Sequence, residues 1–148
     1  MSILNKVTKN IINLQRFEKT LISIIIDISL CILSTWLAFY LRLEKFVNIN
    51  DVTILAVVIS ILIAIPIFWL IGLYKTIFRF AGSSIIFTIL MATFAYSLLY
   101  FAVIAIYGIQ GIPRSIGIIQ PILLFLVISA SRISVKFLFL NHFKKLKN

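Results

Sequence analysis

Acidic side chains are nearly missing from this 148-residue chain: Glu18, Asp27, Glu44 and Asp51 stand against fourteen lysines and arginines. Cysteine and histidine occur once each, as Cys31 and His142. A lone cysteine excludes a disulfide framework, and one His, one Cys and four scattered acids cannot supply a metal cluster or a hydrolytic triad. Gly108 and Gly111 lie in a turn between apolar runs, which is the wrong context for a dinucleotide-binding fingerprint joining a strand to a helix. No Tyr is followed four residues later by Lys. The expectation is a chain with no catalytic, cofactor-binding or metal-binding residues of its own.

Hydrophobic residues make up 62% of the sequence, charged residues only 12%, and the mean hydropathy is +1.16. Soluble domains are about half apolar and about a quarter charged. Here the apolar residues also come in unbroken runs, which a water-soluble fold of this length cannot hide. The net charge of +10 raises a nucleic-acid reading. The cations stand dispersed at the ends of apolar runs, however, so Lys and Arg kept in cytoplasmic loops explain the balance better, and no nucleic-acid partner is expected.

A helix needs roughly 20 residues to cross about 30 Å of hydrocarbon. Four segments satisfy this, at 21–41, 52–73, 85–106 and 116–138. The expected fold is an all-α membrane protein, a four-helix transmembrane bundle over 21–140. An interfacial segment at 1–20 precedes it, and a basic tail at 141–148, which includes His142, follows. No small-residue cleavage site follows the first run before Arg42, so a cleavable signal peptide is not expected. With the N-terminus cytoplasmic, eleven cations fall inside and three (Arg42, Lys45 and Arg114) outside. That bias sets both termini in the cytoplasm.

Small and polar residues at helical spacing mark the faces on which helices meet in lipid. In the first span these are Ser23, Asp27, Cys31, Ser34, Ala38 and Arg42, and in the second Ala56, Ser60 and Ala64. In the third they are Thr88, Ala92, Ala95, Leu99 and Ala102, with Tyr96, Tyr100 and Tyr107 crowding its far half. Trp36, Phe39 and Tyr40 read as an aromatic belt, Pro66 as a bend near Leu62, and Pro113 as the first turn of the fourth helix.

Asp27 is the one acid at hydrocarbon depth. An intramembrane carboxylate costs about 3 kcal/mol on insertion scales and needs a partner. Arg132 enters the same edge of the membrane on the fourth span, so an Asp27–Arg132 ion pair is expected, with Arg79 the second choice. Its plainest role is to fix helix packing. Lys75 and Arg79, four residues apart among Tyr74, Phe78 and Phe80, share one side of a helical turn and suit a lipid-phosphate contact at headgroup level. General attraction to anionic headgroups is the simpler reading.

Several motifs together carry a resemblance. These are Asp27 with Ala38-Phe39-Tyr40-Leu41-Arg42, then Gly72-Leu73-Tyr74-Lys75 with Phe78-Arg79-Phe80-Ala81-Gly82. Gly111-Ile112-Pro113-Arg114-Ser115 and Ser131-Arg132 follow. In this order the chain resembles the N-terminal membrane region of the nucleotide-sugar 4,6-dehydratases and epimerases of bacterial surface-polysaccharide biosynthesis. The resemblance implies four spans ahead of a cytoplasmic NAD(P)-dependent short-chain dehydrogenase/reductase fold acting on UDP-N-acetylglucosamine or a related sugar nucleotide. That domain's cofactor and catalytic residues have no positions here, because the sequence ends at Asn148. The expected function is a non-catalytic anchoring and assembly module. Its expected partners are membrane lipids, polyprenyl-linked glycan intermediates, a separate cytoplasmic sugar-nucleotide enzyme and further copies of itself. The alternative is a stand-alone four-span polyprenyl-linked sugar translocase or transporter. Against it stand the lack of an evident internal repeat and of prolines at mid-membrane.

Overall fold

The computed structural model describes Asn10, residues 15–76 and residues 82–146, and all regular structure among them is helical. The helices are α1 (Arg16–Leu43), α2 (Asp51–Ile71), a four-residue α3 (Leu73–Thr76), α4 (Gly82–Phe101) and α5 (Ile116–Leu146). A π-helical segment, Ala102–Gly108, continues α4. Four helices are long and apolar enough to cross a membrane: Arg16–Leu43, Asp51–Ile71, Ile85–Gly108 and Ile116–Leu138. Helices suit that solvent because each satisfies its own backbone hydrogen bonds.

Local chemistry sets the helix ends. The Gln15 backbone N–H donates to the Glu18 carboxylate at 3.2 Å, which closes the first turn of α1. α1 therefore starts at Arg16, inside the stretch expected to be interfacial; residues 1–9 and 11–14 of that stretch lie outside the described residues. At its other end Glu44 turns left-handed (φ 52°) and donates its N–H to the Tyr40 carbonyl at 2.8 Å. α2 ends on Gly72 at φ 82°, a conformation that costs glycine no Cβ clash. α2 keeps its helical structure on both sides of Pro66.

The backbone adds detail to the third and fourth spans and corrects one expectation, the place of Pro113. The third span, expected over 85–106, runs as a helix from Ile85 to Gly108 and widens to π geometry from Ala102. Pro113 does not lie in the fourth helix. It stands just before it and offers its carbonyl to the Ile116 N–H at 3.0 Å, in keeping with a residue that can accept but not donate. Beyond the fourth span, expected and found over 116–138, α5 runs on through the basic tail to Leu146.

The bundle is antiparallel. Asp27 of α1 meets Arg132 of α5, and Ser34, farther along α1, meets Gln120, which comes earlier in α5. The described end of α1 near Arg16, the α2–α3 junction and the C-terminal part of α5 therefore share one end of the bundle. Buried stripes line its axis: Ser23, Asp27, Cys31, Ser34 and Ala38 on α1, and Ala56, Ser60 and Ala64 on α2. Arg42, expected to continue the α1 stripe, is exposed. On α4 the buried face is Ile89, Ala92, Thr93, Tyr96 and Tyr100. Of the small-residue stripe expected there, Ala92 is buried, Thr88, Ala95 and Ala102 are half-buried, and Leu99 is 52% exposed. The physical reason is that Tyr96 brings a hydroxyl as well as a ring, and its hydroxyl finds partners only in the interior.

Candidate functional site

Asp27 sits at the middle of the α1 stripe and is fully buried. The residues around it are small or apolar, so only a long cationic side chain from a neighbouring helix can neutralise it. α5 supplies Arg132, whose Nη2 donates to both carboxylate oxygens, at 2.9 Å to Oδ1 and 2.8 Å to Oδ2. The pair joins the first and last spans. Arg132 Nε is buried without a hydrogen-bond partner, so the guanidinium is held by one nitrogen instead of by its two-pronged edge. The Tyr74 hydroxyl, on α3, is buried beside the Asp27 carboxylate.

Farther along the bundle is a second polar centre, which the sequence reading missed. Ser60 of α2, Tyr96 of α4 and Gln120 of α5 close a ring of hydrogen bonds. The Tyr96 hydroxyl donates to Gln120 Oε1 at 2.8 Å, and Gln120 Nε2 donates to Ser60 Oγ at 3.0 Å. With that proton of Tyr96 in use, the 2.8 Å contact between Ser60 and Tyr96 has Ser60 as donor. Gln120 Nε2 also reaches Ser34 Oγ at 3.3 Å and Thr35 Oγ1 at 3.5 Å on α1. All four spans thus contribute to one network. Each hydroxyl in the ring both gives and takes, and such chains polarise one another. Tyr96 is fixed further by stacking on Tyr100, with ring centroids 5.4 Å apart, and by Phe68 at 6.3 Å. The signal for this site was an amide in the middle of an apolar run, immediately before Pro121.

At the outer rim of the opposite half, Trp36 stacks on Tyr40 at 5.9 Å, and Phe46 packs against both. Phe39, grouped with this belt by sequence, is buried instead.

Lys75 is exposed on α3. Arg79, its expected companion and the second choice for Asp27, lies outside the described residues. Lys75 and Arg16 both line a cavity of about 640 Å³. Its walls come from the first turns of α1, from Trp69 near the end of α2, and from Gly72 and Tyr74. Among the described residues no three His, Cys, Asp or Glu side chains come together. The chemistry available at these sites is ion pairing, hydrogen bonding between helices and attraction of anions.

No protein-family model, curated protein or solved structure matches this chain.

Proposed function

We propose that this chain is a membrane-anchoring and assembly module, itself non-catalytic, for sugar-nucleotide enzymes of bacterial surface-polysaccharide biosynthesis. In this reading it lies in the inner membrane with both termini and the α3 connector facing the cytoplasm. There it would hold an NAD(P)-dependent sugar-nucleotide 4,6-dehydratase or epimerase close to polyprenyl-linked intermediates. The motif order from Asp27 to Arg132 supports the pathway, and the excess of cations at one end of the bundle supports the orientation.

One observation carries the reading above a transporter. The buried polar side chains join helices to one another: Asp27 to Arg132, and Gln120 to Ser34, Ser60 and Tyr96. A conduit needs polar groups that face a passage and exchange partners. A platform needs a bundle cross-linked at several depths, and two such cross-links are present here.

Membranes from cells with and without the chain provide the test, through NAD(P)-dependent dehydration of UDP-N-acetylglucosamine. The expected result is activity that sediments with the membranes only when the chain is present. Activity equally soluble in both cases overturns the anchor. Movement of a polyprenyl-linked sugar across proteoliposomes by the purified chain does so as well, in favour of a translocase.

A further inference from the structure

The cavity at the Arg16 end of the bundle combines two cations, Arg16 and Lys75, with a mainly apolar lining. Arg16, Thr20 and Ile24 recur every four residues and so share one face of α1, and Phe17 and Leu21 flank them. Trp69, 61% exposed, and Tyr74, which is buried, line the cavity from α2 and α3. Lys75 is the second cation of the lining.

The acids at this end do not cancel those two charges. Asp27 is neutralised by Arg132, and the Glu18 carboxylate is turned back onto the Gln15 N–H at the start of its own helix. The start of α1 adds the partial positive charge of a helix N-terminus. Its volume falls in the range of small-molecule pockets, about 300–1,000 Å³.

We propose that this cavity binds one anionic membrane lipid whose phosphate is not neutralised by an amine of its own. Arg16 and Lys75 hold the phosphate, and the hydrocarbon chain lies along Phe17, Leu21 and Trp69. Charge complementarity selects this occupant: a zwitterionic lipid brings an ammonium group to a cavity already lined by two cations, and a free phosphate leaves the aromatic walls unused. The proposal holds whichever enzyme the bundle anchors, so it stands or fails apart from the pathway assignment.

Trp69 lines the cavity and so reports on its occupant. In a Trp36→Phe background it is the sole tryptophan. The full chain is reconstituted in phosphatidylcholine vesicles, and quenching is compared between brominated phosphatidylglycerol and brominated phosphatidylcholine at equal mole fraction. The expected preference for phosphatidylglycerol is roughly fivefold for each cation engaged. It is lost in Arg16→Gln/Lys75→Gln and kept in Lys136→Gln/Lys144→Gln, which removes two cations from the same end of the bundle outside the cavity. If the first pair does not fold, Lys75→Gln alone, at an exposed position, is expected to remove part of the preference. Equal quenching by the two lipids overturns the proposal, as does a preference that survives loss of Lys75 and Arg16. Equal loss in the two double variants also overturns it, because it shows only general attraction to a basic surface.

Discussion

Replacing Asp27 by Asn removes one charge from the bundle interior and leaves the volume almost unchanged. At the observed 2.8 Å, opposite unit charges attract by about 6 kcal/mol at an effective dielectric constant of ~20. Desolvation of the two ions offsets much of this, so the intact pair is a weak net stabiliser. Removing one partner is a different matter. Arg132 is only 8% exposed, and in Asp27→Asn it remains as a buried cation without a counter-charge. Its Nε already lacks a hydrogen-bond partner, so no second anchor compensates. The expected loss is about 3–5 kcal/mol. Asp27→Asn/Arg132→Gln, which removes both charges, should lose roughly half of that or less. The assay is reversible unfolding of the full chain by SDS in mixed micelles, followed by circular dichroism. A loss under about 1 kcal/mol in Asp27→Asn refutes the account. So does a double variant as unstable as the single one, since the cost then comes from lost packing and not from an uncompensated charge.

Two further outcomes follow from the same structure. Gln120→Leu leaves the Tyr96 hydroxyl without its acceptor and opens the ring at Ser60, for an expected cost of about 1–2 kcal/mol; a cycle with Tyr96→Phe should show coupling of the same sign, and strict additivity of the two substitutions counts against a closed network. Gly111 has φ +87°, and an added Cβ would lie 3.1 Å from Cγ2 of Val52, so Gly111→Ala should destabilise the turn before α5 by roughly 1–3 kcal/mol in the SDS titration.

The scarcity of charge made Asp27 and Arg132 conspicuous. In a run of isoleucines and leucines a carboxylate demands a cation, and the positions of both residues near one end of their spans left few choices. Gln120 was not conspicuous, because an uncharged amide leaves hydropathy almost unaltered and its partners lie 24 to 86 residues away. Tyr96 and Tyr100 were legible as aromatic residues in the third span, but not as its buried face. The cavity at Arg16 was also hidden, because it joins the start of α1 to a connector more than fifty residues later.

Sequence alone determined that four apolar helices form and roughly where each stops. A helix closes its own backbone hydrogen bonds, so its existence depends on local composition, and a lipid-length apolar run needs no partner to be helical. Tertiary structure decided which side of each helix faces inward. Lipid tails are as apolar as a leucine core, so burial in the bundle gains little from hydrophobicity. Rotation about each axis is set instead by polar groups finding one another: Asp27 finding Arg132, and Gln120 finding Ser34, Ser60 and Tyr96. Those encounters exist only once the spans are side by side.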